Sequence, residues 1–298
     1  MAKFLDNRAN LVSREDALEH SGYIPFPKNP PKDPIDIDMS NSYDAEALYG
    51  RKTWPSLACG PDTISHRHIM DLMPQLSRVL QVAIDKPIDT FLNISNNYNR
   101  LISKAPGTKN STTEKSLRPI AELNILPKYG PIKIYVDQLR EKLIPHMNDN
   151  QYSFPGKGCQ LATALVLDQL NDLASQNMPT LLVLWDYSNA FCTFLHETAI
   201  QIAREYNLSE NALRLFKQFL SQTISTIKTS DGGGYYFSDP SDTNRGGQQG
   251  QIGTDFVFAM LNDGIQPASY FGEFVKRIKY VDDFQDIMAC WDIDKLFQ

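Results

Sequence analysis

Two distant stretches of the chain each deliver carboxylates at the end of a strand, and this constrains the fold more than any other feature. Leu181-Leu182-Val183-Leu184-Trp185 is continuously apolar, the pattern expected of a strand buried on both faces. It runs into Asp186 and the sequence DYSNAF. Far downstream, Arg277 to Tyr280 lead into Asp282-Asp283, and Phe284 to Met288 lead away. That reads as a hairpin with both aspartates at its turn. A fold that joins the two elements puts three carboxylates at one spot. Like charges at close range destabilise one another's ionised form, so such a spot calls for a cation. Hard Mg²⁺ prefers oxygen ligands, and two such ions ~3.5–4 Å apart clamp the attacking and leaving oxygens of a phosphoryl transfer. The plainer reading is turn chemistry, since Asp tolerates turn geometry and caps its own backbone. The case therefore rests on further segments falling in order.

At 298 residues and 42% hydrophobic content, the chain can build one large core or two smaller ones. No apolar stretch is long enough to span a bilayer, and the N-terminus MAKFLDNRANLVSRED has no apolar signal region. Cys59, Cys159, Cys192 and Cys290 lie far apart without CxxC spacing. They argue for reduced thiols in an intracellular protein rather than a disulfide frame or zinc site. The net charge of −6 opposes nucleic-acid binding, which needs cations against phosphate. Locally the balance reverses: Arg100, Lys104, Lys109, Lys115, Arg118, Lys128, Lys133, Arg140 and Lys142 face only Glu114, Glu122, Asp137 and Glu141. This basic stretch suits either a phosphate-facing surface or a solvated face.

Residues 23–40 are dense in proline and cannot be regular helix; they are expected to form an extended arm on the surface. Helical patterns follow at about 64–84 and 86–103, then a polar loop from Lys104 to Ser116. A loop or short strand is expected at 119–126, with helices at 131–145, 160–175, 196–206 and 209–221, the last begun by Ser209 as N-cap. Thr223 to Thr229 alternates, Asp231-Gly232-Gly233-Gly234 supplies a turn, and Tyr235-Tyr236-Phe237 returns; its rings are of a kind that stacks bases, but a strand packing on a sheet is the better reading. A loop holding Arg245-Gly246-Gly247-Gln248-Gln249-Gly250 opens a helix over about 254–263. The order predicts an antiparallel sheet with helices on one face. His66 and His68 lack a third ligand nearby and read as exposed helix residues.

The order of segments resembles the reverse transcriptase family, in particular its non-LTR retrotransposon type. Ala58-Cys59-Gly60-Pro61-Asp62-Thr63-Ile64 is similar to the GPDG-I segment, and Leu117-Arg118-Pro119-Ile120 with Leu123-Asn124 and Lys128 to the RPI…LN…K block. Gln151-Tyr152-Ser153-Phe154 with Thr163-Ala164-Leu165 resembles the QxGFR…ST..A block. DYSNAF, RGGQQG and YVDD match the first catalytic, glycine-rich and second catalytic blocks. The chain departs from the pattern at Pro155, where the family carries arginine, at Gln248 for proline, at Gln251-Ile252 for Ser-Pro, and at Cys192 for an acidic residue.

The resemblance implies an α+β polymerase right hand. Fingers and palm interleave over 51–298, behind an extension over 1–50 with a proline-rich arm, and the antiparallel palm sheet is backed by helices. The chain stops soon after the second catalytic block, so the thumb is expected to be absent and the chain a fragment or truncated element. The resemblance assigns catalysis to Asp186, Asp282 and Asp283. Asp186 and Asp282 would ligate two Mg²⁺ ions (Mn²⁺ as a substitute), with Asp283 beside them and the Tyr187 carbonyl assisting. Phe191 would gate the ribose 2′-hydroxyl, and Gln249 with Gly250 would line the nucleotide pocket. Arg118 and Lys128, and more weakly Lys157, would contact triphosphate. Each has a plainer reading as a core phenylalanine, a loop or a surface cation. The implied partners are an RNA template, a DNA primer and dNTPs, with no membrane. Two rivals remain. An RNA-dependent RNA polymerase usually carries Gly-Asp-Asp and a polar residue at the Phe191 position. A noncatalytic nucleic-acid-binding descendant would retain the fold alone.

Overall fold

The structure is a computed structural model and describes residues 30–39, 59–71, 96–103, 117–187, 190–221, 224–230, 234–242, 245–265, 274–292 and 294. Among these, one compact unit gathers 147–187 and the segment from 262 onward, and a larger one gathers 30–146 and 188–261.

The larger unit holds β1 (Asn96–Ser103) and β2 (Leu117–Leu123), a helical run ending in α1 (Lys133–Leu143), α3 (Ala190–Thr193), α4 (His196–Glu205) and α5 (Glu210–Ser221). β4 (Ile224–Ser230), β5 (Tyr235–Phe237), β6 (Ser241–Asp242) and α6 (Thr254–Leu261) complete it. Its mixed sheet runs β2-β1-β4-β5, with β6 also on β4, and β1–β4 is parallel. The smaller unit holds α2 (Cys159–Ser175), β3 (Thr180–Asp186), β7 (Phe274–Tyr280) and β8 (Asp283–Ala289), its sheet ordered β3-β8-β7 and wholly antiparallel. Ala162, Val166 and Leu173 of α2 pack on Ile278, Ile287 and Ala289. Among the described residues there are thus two sheets, where the sequence suggested one antiparallel sheet.

Several expectations need correction. Residues 96–103, read as the end of a helix, form β1, because pairing on both edges outweighs a weak local helical pattern; 72–95 and the Lys104–Ser116 loop lie outside the described residues. β3 is not buried on both faces: it is the edge strand, and Leu184 is 69% exposed. The arm at 30–39 is more than a surface segment. Ile35 and Ile37 are buried, Ile35 bridges Leu208, Asp38 and Gln138 exchange hydrogen bonds, and Ser209 Oγ donates to Asp36. His66 is buried and meets Tyr129 at 6.4 Å, while His68 is exposed. Tyr235, Tyr236 and Phe237 do pair as a strand, yet their rings are 61%, 59% and 52% exposed. The basic stretch does not form one free cationic face. Arg100 pairs with Glu122, Lys133 with Asp137 and Arg140 with Asp255.

The Ser209 cap forms as expected: its Oγ accepts from Ala212 N at 3.1 Å. The GPD and LN segments meet, with Asp62 N donating to Asn124 Oδ1 at 3.1 Å. Among the described residues no helix is long and apolar enough to cross a membrane.

Candidate active site

β3 and β8 pair without interruption from Thr180↔Ala289 to Asp186↔Asp283. Directly opposed residues leave the same face with Cβ atoms about 4.5–5.5 Å apart. Asp186 and Asp283 are therefore a facing carboxylate pair at the last rung, and both are exposed. The register sets Asp283, rather than Asp282, opposite Asp186. Val281 and Asp282 form the turn between Tyr280 and Asp283. Val281 has φ of 56°, a strained setting for a β-branched residue. Positive φ at the first turn residue alone is the mark of a type II′ hairpin, whose twist suits the flanking strands.

Gln151 holds this turn. Its buried Oε1 accepts from Val281 N at 3.0 Å, from Ser153 N at 3.2 Å and from Ser153 Oγ at 3.0 Å. Backbone bonds lock the segment to β7: Lys279 N donates to Asn150 O, and Tyr152 N to Lys279 O, both at 2.8 Å. The contact joins positions 130 apart, so no local pattern in the sequence could signal it. The sequence match included Gln151 but gave it no role.

Two buried polar groups brace the same sheet. Lys279 is 0% exposed, and its Nζ donates to the carbonyls of Asn262 (2.6 Å) and Asp263 (3.0 Å). Burial pulls its ammonium down to about 8; Asp263 opposes this, Arg277 adds to it, and Asp286 opposes it. Asp286, on the central strand, pairs with Arg277 of β7 and accepts from Trp185 Nε1 of β3 at 2.8 Å. One carboxylate thus ties all three strands. Lys279 Nζ and the Arg277 guanidinium lie 5.4 and 5.5 Å from the Phe284 ring centroid, with Tyr187 edge-on at 5.3 Å, and burial pushes the Tyr187 phenol up.

The remaining sequence candidates lie in the larger unit. Phe191, on α3, packs on Phe258 at 5.7 Å. Gly246 N donates to Phe194 O and Gly247 N to Phe191 O, at 2.7 and 2.6 Å. Gly246 has φ of 65°, and a Cβ there would fall 2.5 Å from Phe191 O, so only glycine permits this approach. His196 Nε2 meets Gly246 O at 2.7 Å, and burial lowers its pKa against that bond. Gln249 O accepts from Ala121 N at 2.7 Å, and Gly250 (φ 109°) sits against Ala121. The glycine-rich loop therefore lies along β2, the strand that carries Arg118. Gln248, the departure from proline, turns inward and its Nε2 reaches Ser225 Oγ at 3.3 Å. Arg118 is exposed. Lys128 is half-buried over the Tyr129 ring, and burial lowers its pKa. Lys157, in the smaller unit, bonds Asp149.

Among the described residues, no group of three or more His, Cys, Asp or Glu side chains is arranged to hold a metal ion. Asp186, Asp282 and Asp283 stand as one facing pair and one turn carboxylate. Carboxylate oxygens are hard donors of the kind magnesium takes.

No protein-family model matches the chain, and neither does any curated protein. Among solved structures it is similar to apo telomerase from Candida tropicalis truncated from its C-terminal domain. The identity is 16%, over 68% of this chain and 45% of that one, with a TM-score of 0.43. This chain thus matches less than half of that protein's length.

Proposed function

We propose that the chain performs template-directed nucleotidyl transfer as an RNA-directed DNA polymerase, adding dNTPs to a primer 3′-hydroxyl. The observation that carries this reading is the Asp186–Asp283 pair, brought together by antiparallel register from distant segments with a strained turn beside it. A strained backbone persists only where its surroundings over-determine it, and such settings cluster at functional sites. The finer assignment, a reverse transcriptase of the non-LTR retrotransposon type, rests on the six sequence blocks.

In this reading Asp186, Asp282 and Asp283, with the Tyr187 carbonyl, would hold magnesium. The metal would supply charge neutralisation and a more acidic 3′-hydroxyl. The chain's own residues do the rest. Gln151 fixes the turn that carries Asp282. Arg118, exposed on β2, is a better triphosphate contact than the half-buried Lys128. Gln249 and Gly250 line the pocket along the same strand, and Phe191 excludes the extra ribose oxygen.

The test is primer extension on an RNA template. The wild type should incorporate dNTPs in preference to rNTPs, and Asp186→Asn should lose at least about 100-fold, the scale of removing one electrostatic partner of a transition state. Equal or preferred use of rNTPs would overturn the DNA-polymerase assignment. Unchanged incorporation by Asp186→Asn would overturn the site.

A further inference from the structure

One face of the larger unit's sheet carries rings and cations together. Register places Tyr98 beside Glu122, Arg100 beside Ile120 and Lys228, Ile102 beside Arg118, and Lys228 beside Phe237. Paired and alternate positions share a face. That face therefore presents Tyr98, Tyr235 and Phe237 with Arg100, Arg118 and Lys228; its acids are Glu122 and, opposite Ile224 at the end away from β5, Asp242. At β1 and β2 the opposite face is packed: Asn97, Ala121 and Leu123 are buried.

We infer that the β5 end of this open face binds unpaired nucleic acid, with bases stacked on the three rings and the backbone drawn to the cations. Tyr98 and Phe237 lie 5.0 Å apart, and Lys228 Nζ sits 4.3 Å from the Tyr235 centroid and 5.5 Å from that of Tyr98. Glu122 bonds Arg100 at 2.7 Å and Lys228 at 3.4 Å, which fixes both cations beside the rings. At the β5 end three cations against one carboxylate leave this face positive on a chain of net charge −6. Stacking with a phosphate-tracking charge is the recipe for sequence-tolerant single-strand binding.

A protein partner fits less well, since interface cores are depleted in lysine and Lys228 sits at the centre of the rings. Pairing with a second copy through the sheet edge is also disfavoured. β5 has three residues and Pro240 follows soon after; short edges and nearby proline blunt strand addition. The inference uses only the larger unit and does not require the carboxylates to be catalytic.

The experiment is fluorescence anisotropy on the full chain with labelled oligouridylate, oligothymidylate and a duplex. Single strands should bind more tightly than duplex. Tyr235→Ala and Phe237→Ala should each weaken binding roughly 5- to 150-fold, the range for losing one base stack. Tyr236→Ala, on the opposite face, should not. Should the ring variants fail to fold, Lys228→Gln decides, with weaker binding and a salt slope shallower by about one. Wild-type affinity in these variants, or an equal loss in Tyr236→Ala, overturns the inference. So does a dimer, seen by sedimentation, that dissolves in the ring variants while oligonucleotides never bind. Asp186→Asn should keep full binding, so loss of synthesis and loss of this surface are read separately.

Discussion

Lys279 makes the stability of this protein depend on alkaline pH in a way that can be worked out in advance. Its amine is fully buried and its pKa lies at about 8, below the ordinary 10.5. Between those values the unfolded chain binds more protons than the folded one, so stability rises with pH. Below about 8 the side chain is charged in both states and the folded state carries the full desolvation cost. At about 1.4 kcal/mol per tenfold in proton affinity, that cost is on the order of 3 kcal/mol. Moving from about pH 7 to about pH 9.5 recovers about 2 kcal/mol of it. Lys279→Met cannot titrate and should lack this gain, whatever it loses by leaving the Asn262 and Asp263 carbonyls without their donor. Urea unfolding followed by tryptophan fluorescence, with Trp185 and Trp291 both in the smaller unit, reads the difference. Parallel stability curves for wild type and variant, or a wild type that weakens relative to the variant as pH rises, would refute the buried cation.

Four further outcomes are expected. Asp283→Asn should stabilise the metal-free protein by about 0.2–1 kcal/mol, because it removes a like charge directly across from Asp186. Magnesium should raise the melting temperature of the wild type but not of a variant with both carboxylates replaced; an equal rise in both would refute binding there. Gln151→Leu should cost about 1–2 kcal/mol, since three accepted bonds worth ~0.5–1.5 kcal/mol each are lost and the half-exposed donors recover part from water. It should also cut primer extension while oligonucleotide binding survives, and unaltered extension would show that the turn holds itself. Ser209→Ala should lower stability by about 1 kcal/mol through the lost cap and expose the 30–39 arm to protease; an unchanged digestion pattern would refute the arm's anchoring.

Local patterns carried much of this architecture. The apolar run before Asp186, the hairpin turn at Tyr280-Val281-Asp282-Asp283, the Ser209 cap and the β4–β5 return after Asp231-Gly232-Gly233-Gly234 are all short-range signals, and the described elements follow them. The reading of 86–103 as helix failed at β1, because strand formation there depends on partners at 117–123 and 224–228 that no window includes. His66 and His68 looked alike in sequence, yet one is buried and the other is not. Spacing gives periodicity but not which neighbour arrives to cover a face.

By itself, then, the order of residues determined that carboxylates would end one strand and occupy the turn of a hairpin, since apolar runs and turn residues act over a few positions. Tertiary structure alone decided that Asp283 opposes Asp186, that Gln151 clamps Val281, and that Tyr98, Lys228 and Phe237 share an open face. Strand register sets the first and last of these, and a bridge to β7 sets the second; both bring side chains from remote segments together and leave no trace in local composition.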